Sequence, residues 1–193
     1  MIVGQVKPES ITGKKISEIS QRKEYTVFLE VGTLYGLGST KCFLNSLLER
    51  DDDSKLISIE SKKEFYDYAK NYWEDAINKG KLDLRHGSLI SFDDLPEDYR
   101  TDSGHTKHTY DYNQDIKNSS TISIDEKIDV LMLDGGHFST QLEWELFKDE
   151  IKIGIIDDVS TSKTRMIYKE ILDDSQWVVE KMPDRDLIIA KRK

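Results

Sequence analysis

The sequence predicts an α/β protein, a three-layer sandwich in which helices cover both faces of a mostly parallel, seven-stranded sheet. Short apolar runs of strand length alternate with amphipathic segments of helical period through most of the 193 residues, and this alternation is typical of parallel sheets. The last two apolar runs are joined by only a short turn around Pro183-Asp184, which indicates an antiparallel C-terminal hairpin. The length suits one domain, residues 1–193.

The first part of the chain predicts a cap, a strand and a helix. Residues 1–24 carry Ile16 and Ile19 at helical spacing, so this N-terminal cap segment is expected to hold a short amphipathic helix. Such a helix can cover the sheet or a ligand cleft. The first strand is predicted at about 25–31, and a helix at about 39–49 follows a glycine-rich loop.

The second strand is predicted at Lys55–Glu60, and the pattern after it indicates one long helix. Ser61 and Glu64 have the spacing of a capping box, and Gly80 is placed to end the helix. One apolar stripe recurs at helical spacing and is interpreted as core. Its members are Phe65, Tyr68, Ala69, Tyr72, Ala76 and Ile77.

A third strand, Lys81–His86, precedes the least regular part of the sequence. A short helix is expected within 89–99. Residues 101–124 are polar and aperiodic, so they are predicted to be either a lid or a disordered loop. His105 and His108 lie there without further candidate ligands, and a metal site in this loop is not favoured.

The remaining elements alternate again. Strands are predicted at Ile128–Asp134 and Ile151–Ile156, with helices at about 139–149 and 161–172, and the closing hairpin pairs a run at Trp177 with Leu187–Ala190. The residues expected to point inward from the two helices are Leu142, Leu146, Phe147, Met166, Ile167 and Ile171.

Composition excludes some classes of partner and location. The net charge is −9, with 37% hydrophobic and 34% charged residues, which argues against a nucleic-acid or anionic-membrane partner. Cys42 is the single cysteine, and its apolar neighbours favour a core position over a reactive thiol. With no disulfide framework, no signal peptide and no apolar run of membrane-spanning length, a cytoplasmic location is expected.

Acidic residues stand at the end of several predicted strands. They are Glu30, Glu60, Asp134, Asp157 and Asp158. Parallel strands end at the same edge of a sheet, and ligands bind at that edge. A single strand-end carboxylate is explained by capping of the next helix, but the whole set together predicts a binding site.

The loop after the first strand predicts a nucleotide-like ligand. Gly32, Gly36 and Gly38 allow close backbone approach, and the next helix begins there with free N–H groups. The spacing is not that of a dinucleotide fingerprint, because position 41 is Lys41, and the phosphate-loop sequence Gly-Lys-Ser/Thr is absent.

The pattern E-x-G-x-x-x-G-x-G resembles motif I of the class I S-adenosylmethionine-dependent methyltransferases. The resemblance covers about residues 25–192 and implies a Rossmann-like sandwich that binds S-adenosylmethionine. It implies that Glu30 and the glycine loop hold the methionine part, Glu60 the ribose hydroxyls, and Gly87-Ser88 the adenine. The loop residues implied are Gly32, Thr33, Gly36 and Gly38.

LMLDGGH followed by IGIIDDV resembles the cation-dependent O-methyltransferases, both macrocin-type and catechol-type. The resemblance implies that Asp134, Asp157 and Asp158 bind Mg²⁺, for which carboxylates are suited. It also implies catalytic roles for Asp134 and for His137, which stands where the catechol-type enzymes have a basic lysine. His137 equally suits a helix cap. Asp157-Asp158 replaces the usual Asp-Asn pair, so a metal-free use of the scaffold stays open.

The sequence therefore predicts methyl transfer from S-adenosylmethionine to an oxygen of a small molecule or sugar, with a divalent cation assisting. A non-catalytic binding module of the same fold is the alternative, and aminopropyl transfer on that fold is disfavoured by the acid pattern after the fourth strand. The resemblance leaves a homodimer open.

Overall fold

A central sheet of seven strands organises the structure, a computed structural model that describes residues 6–97, 100 and 113–193. The strand order is β3-β2-β1-β4-β5-β7-β6. The strands are β1 (Val27–Val31), β2 (Lys55–Glu60), β3 (Leu82–His86), β4 (Val130–Leu133), β5 (Ile153–Asp157), β6 (Trp177–Lys181) and β7 (Leu187–Arg192). β7 runs antiparallel to both of its neighbours, and the other pairs are parallel. The predicted mostly parallel sheet with an antiparallel C-terminal hairpin is confirmed.

Helices cover both faces of this sheet. They are α1 (Ile11–Gln21), α2 (Ser39–Leu47), α3 (Lys63–Tyr72), α4 (Glu74–Asn78), α5 (Thr140–Phe147) and α6 (Arg165–Asp173). Ile16 of α1 packs in one buried cluster with Phe28 of β1, while the next strand residue, Leu29, belongs to the opposite cluster with Trp144 of α5. Because side chains alternate along a strand, each central strand contributes to both cores.

The order of the strands creates a crevice between β1 and β4. β1 pairs with β2 on one side and with β4 on the other, so the chain changes winding direction there. Ligands of open α/β sheets bind at such a switch point, beyond the carboxyl ends of the strands.

The predicted capping box and the single helix after β2 are wrong. α3 begins at Lys63, its N-cap is Lys62 without a side-chain bond, and a second short helix, α4, follows it. The Lys62 N–H instead donates to Glu60 at 2.8 Å. Two members of the predicted core stripe, Ala69 and Ala76, are buried as expected. Tyr68 and Tyr72 are 47% and 49% exposed, so the two tyrosines of the stripe are not core.

The aromatic side chains at the start of this stripe contact the glycine-rich loop. Tyr35 of the loop lies 4.5 Å from Phe65 and 5.2 Å from Tyr68, between ring centroids. Helical periodicity predicts that these rings share one face of the helix, but it does not predict which part of the protein that face contacts.

Other helix assignments are corrected in the same way. Ile167, Ile171 and Cys42 are buried as predicted, but Leu146 and Met166 are exposed. In α5 the side chains of Thr140 and Trp144 are fully buried instead, and Trp144 packs in the same core cluster as Leu29 of β1.

The described part of the irregular region contains regular structure. Within 89–99 the described residues show a 3₁₀ turn at Phe92–Asp94. Residues 113–117 are helical, and Thr121 pairs with Ser88 in an isolated parallel bridge, so this part of the predicted loop is structured. Residues 101–112, with both histidines, lie outside the described residues. Among the described helices none has the length and apolarity needed to cross a bilayer.

Candidate functional site

A cavity of about 290 Å³ lies at the carboxyl ends of the strands, above the β1–β4 crevice. Most of the residues predicted from the sequence line it. They are Gly32, Thr33, Gly38, Glu60, Gly87, Ser88, Asp134, Asp157 and Asp158. Glu30, Gly36 and His137 were also predicted, but they are not among the lining residues.

Gly32 brings the end of β1 against the end of β4. Its φ is +97°, and a Cβ there would lie 2.5 Å from the carbonyl oxygen of Asp134. Both the conformation and the close approach require glycine. The floor of the cavity is therefore made of backbone.

Glu30 lies beneath the loop and not in the cavity. Its carboxylate accepts hydrogen bonds from the hydroxyls of Ser39 (2.5 Å), Thr40 (2.7 Å) and Ser58 (2.6 Å), and the residue is fully buried. Burial raises the pKa of Glu30, and the three hydroxyls oppose that shift. In this arrangement Glu30 anchors α2 to β1 and β2, so direct contact with the methionine part, which we predicted, finds no support.

Gly36 is also a structural position. Its φ is +69°, and a Cβ would lie 2.8 Å from Trp73 Nε1. That indole N–H donates to the Gly36 carbonyl at 2.8 Å. Gly36 thus fixes the loop to the α3–α4 junction.

Glu60 presents a carboxylate to the cavity from the tip of β2. Its two oxygens accept from the N–H of Leu34 (2.7 Å) and of Lys62 (2.8 Å). Burial raises the pKa of Glu60 to about 7, although these backbone hydrogen bonds lower it. Each carboxylate oxygen has a further lone pair, so Glu60 can still accept two hydroxyls from a ligand.

The wall beside Glu60 is formed by residues that the sequence did not all reveal. Gly87 and Ser88 line it as predicted, and Phe65 and Ile116 join them. Ile116 comes from the region that we predicted to be a lid or disordered loop, and it is 6% exposed. A flat apolar group would suit this wall.

The three aspartates at the tips of β4 and β5 form the predicted cluster. Oxygens of Asp134, Asp157 and Asp158 all lie within 4.8 Å of one another. Lys163 Nζ binds Asp134 Oδ1 at 3.1 Å and Asp158 Oδ2 at 3.2 Å. Burial raises the pKa of Asp134, and the Lys163 ammonium opposes that shift.

Arg185 occupies the other side of the cluster. Its Nε donates to Asp157 Oδ1 at 2.7 Å, and its Nη2 donates to Asp157 Oδ2. Nη2 also lies 3.8 Å from Asp134 Oδ2. A divalent cation would have to displace both side-chain cations, so the residues as arranged do not fit a resident Mg²⁺, although the aspartates that we predicted to bind it do come together.

His137 lies just outside the cavity, between the loops that follow β4 and β5. Its Nε2 is 2.8 Å from the hydroxyl of Ser162. Its ring meets Phe138 edge to face at 4.8 Å between centroids. The His137 ring is thus oriented by residues of both loops.

Glu143 was missed by sequence reasoning although it lines the cavity. The residue is 2% exposed, and its Oε2 has no hydrogen-bond partner among the residues that the structure describes. Burial raises the pKa of Glu143 to about 7, with Ser139 and Lys163 opposing. A buried carboxylate oxygen without a partner, beside Gly135, is suited to a cationic ligand group.

Lys163 and Arg185 were missed as well. Arg185 precedes β7, whose start pairs with the end of β5 at Asp157↔Leu187. An antiparallel β7 that pairs with β5 begins where β5 ends. The turn before β7 therefore lies at the carboxyl edge of the sheet, where the cavity is. No comparable signal marks Lys163.

Comparisons with known proteins give a fold. No family model and no curated protein sequence matches the chain. Among solved structures, the O-methyltransferase from Bacillus cereus in complex with SAH matches with a TM-score of 0.65 and 18% identity, over 100% of this chain and 84% of that one. The O-methyltransferase TomG from Streptomyces achromogenes, in complex with SAM, matches with a TM-score of 0.59 and 13% identity, over 94% and 79%.

A methyltransferase from Geobacter sulfurreducens matches with a TM-score of 0.63 and 12% identity, over 99% of this chain and 83% of that one. The chain has a class I methyltransferase fold. At these identities the likeness extends to the fold, and the chemistry must be argued from the cavity itself.

Proposed function

We propose that the chain is an S-adenosylmethionine-dependent methyltransferase that methylates an oxygen of a small molecule. The observation that carries the proposal is the position of Glu60: a carboxylate with spare acceptor capacity, in a cavity floored by the glycine loop, at the switch point of a methyltransferase fold. Such a carboxylate suits a pair of ribose hydroxyls.

The remaining lining residues would divide the cofactor between them. Gly87, Ser88 and Ile116 would hold the adenine, and Gly32 would bring its backbone to the methionine part. S-adenosylmethionine carries a sulfonium and an ammonium group, and the unpartnered oxygen of Glu143 supplies a matching negative charge. When bound, the cofactor supplies a methyl group that an acceptor oxygen takes while the sulfur–carbon bond breaks.

The acceptor hydroxyl must lose its proton in that reaction. His137 is the candidate base, because an imidazole titrates near neutral pH and Ser162 orients the ring. Asp134, three residues before His137, lines the cavity. The chain's main contribution would be to hold the acceptor oxygen in line with the methyl group, since displacement reactions gain most from positioning.

The proposed reaction does not use the magnesium ion that the sequence predicts. Lys163 and Arg185 contact all three aspartates that would have bound it. No step is therefore assigned to a metal.

Calorimetric titration with S-adenosylmethionine and with its product S-adenosylhomocysteine tests the proposal. We expect saturable binding, on the order of micromolar, followed by transfer of labelled methyl to a member of an acceptor panel. Cofactor binding without turnover on any hydroxylated acceptor would favour a non-catalytic binding module. Absence of binding to both compounds would refute the proposal.

A further inference from the structure

The aspartates at the ends of β4 and β5 are paired with two cations that belong to the chain itself. Resting on the methyl transfer proposed above, we propose that Lys163 and Arg185 stand in place of a divalent cation. On this proposal the protein neither binds a metal at Asp134, Asp157 and Asp158 nor needs one to bind its cofactor.

Lys163 is held inside the site. Its side chain is only 8% exposed, and its ammonium bridges Asp134 and Asp158 at 3.1 and 3.2 Å. The segment that carries Lys163 is held in place, since the single Thr164 hydroxyl proton is shared between the carbonyl oxygens of Asp157 (2.9 Å) and Asp158 (2.8 Å). A lysine on the surface can break its ion pair and become hydrated at little cost. Lys163 cannot do so easily, because its side chain is almost fully buried.

Arg185 is fixed by the turn on which it sits. Asp184, the residue before Arg185, accepts hydrogen bonds from the N–H and the hydroxyl of Thr12 in α1 at 3.1 and 2.6 Å. The following residue, Asp186, accepts from the N–H and hydroxyl of Ser160 at 2.9 and 2.5 Å. The guanidinium therefore reaches Asp157 from a turn anchored on both sides.

The two cations offset two of the three negative charges of the aspartates, while Glu143 adds a further buried carboxylate near Lys163. Three carboxylates face one ammonium and one guanidinium, and Asp134 contacts both cations. Asp157 is 1% exposed, so its charge depends on the bidentate arginine. An incoming divalent cation would be repelled by both side chains. To bind, it would have to leave the Lys163 ammonium buried without a counter-charge, which is strongly unfavourable.

Manganese binding tests this directly, because Mn²⁺ occupies carboxylate sites and its free form is counted by electron paramagnetic resonance. The wild type, Lys163→Met, Lys163→Gln and the control Lys169→Met are stripped with EDTA and titrated. Lys169 is an exposed lysine of α6. We expect no stoichiometric binding by the wild type or the control up to on the order of 1 mM Mn²⁺.

Removal of Lys163 should open the site. We expect the Lys163 variants to bind Mn²⁺ at least about tenfold more tightly than the wild type, and adding Asp158→Asn should abolish that gain. Variants that keep the wild-type circular dichroism spectrum but bind no better would overturn the proposal. So would a wild type that binds one equivalent of Mn²⁺ and loses it on Asp158→Asn, a result that needs no lysine variant to fold.

A second titration separates this inference from the proposed function. S-adenosylhomocysteine is titrated into the wild type in EDTA and in Mn²⁺. Equal affinity in both, within about twofold, supports the inference. Binding only with Mn²⁺ overturns it and leaves the methyltransferase standing. Binding in neither condition refutes the methyltransferase, while the manganese result still decides whether the aspartates hold a metal.

Discussion

Replacing Glu60 by glutamine is the sharpest test of cofactor placement. The substitution keeps the size of the side chain but removes its charge and one acceptor oxygen. Hydrogen bonds to a charged acceptor contribute about 1.5–3 kcal/mol each. If the glutamine keeps one of two ribose contacts, we expect the affinity for S-adenosylhomocysteine to fall roughly 10- to 150-fold.

The substitution also has a structural cost that can be measured separately. Each oxygen of Glu60 accepts one backbone N–H, from Leu34 and from Lys62. The amide nitrogen of a glutamine at this position cannot accept a hydrogen bond from either of them. One N–H loses its partner, so we expect the free energy of unfolding to drop by about 1 kcal/mol. Denaturant melts of the free protein give this value independently of binding.

The pH dependence gives a second signature. Because burial raises the pKa of Glu60 to about 7, the carboxylate is protonated below that pH and loses its charge. Ribose hydroxyls bind the ionised form better, so wild-type affinity should fall as pH decreases through about 7, by up to about tenfold per unit. Glu60→Gln should weaken this dependence, leaving any contribution of Glu143.

Glu64→Gln is the matched control, since Glu64 is an exposed residue of α3 near Glu60 in sequence. Calorimetry of both variants at pH 8 and pH 6 completes the assay. If Glu60→Gln binds within about twofold of the wild type at the higher pH, the ribose assignment is wrong.

Three further substitutions test the floor of the cavity, a buried carboxylate just before β4 and the proposed catalytic base. Gly32→Ala forces a Cβ toward the Asp134 carbonyl, and we expect a loss of about 1–3 kcal/mol of stability in thermal melts together with weaker cofactor binding. Asp129→Ala removes the partner of Lys152 at 2.7 Å and of two backbone N–H groups, and we expect a loss of about 1–3 kcal/mol in urea melts at pH 7. His137→Asn should lower kcat about 100-fold or more, with KM unchanged, in the methyl-transfer assay.

Each of these has a contrasting outcome. Gly80→Ala is the control for Gly32→Ala, because the φ of Gly80 is +70° and a Cβ added there has no atom of the described residues within 4 Å. Equal losses of stability in both variants would show that the Asp134 contact is unimportant. Burial alone would raise the pKa of Asp129, but hydrogen bonds from Lys152 and from the backbone lower it below its usual value. Its stabilisation is therefore present above about pH 4 and lost as pH falls further. A gap between the wild type and Asp129→Ala that persists at low pH would contradict this, and an unchanged kcat in His137→Asn would favour the helix-cap role.

The positions of the strand-end acids could be predicted because strand periodicity and parallel topology place them together without knowledge of packing. The direction of Glu30 was also within reach. Phe28 and Glu30 are two residues apart, so both point to the same face of the sheet, and Phe28 packs with Phe43 of α2. Two of the three hydroxyls that bind Glu30, those of Ser39 and Thr40, lie on that helix.

The side chains that complete the site could not be predicted in the same way. Lys163 reaches the aspartates from an irregular segment, and its direction depends on Thr164 binding the end of β5. Glu143 is a charged residue on a helical face that turns toward a cavity rather than solvent. Periodicity predicts which residues share a face of a helix. The roles of Glu143 and Lys163 depend instead on which part of the fold their side chains contact.

The turn before β7 has an unusual restriction on its length. Turns between strands usually accept inserted or deleted residues, since they lie on the surface and carry few contacts. Here three consecutive residues, Asp184, Arg185 and Asp186, engage three different parts of the molecule. One added residue would shift at least one of them out of reach. Displacement of Arg185 would leave the buried carboxylate of Asp157 without its bidentate partner. We expect natural variation in this hairpin to change side chains while its residue count stays constant.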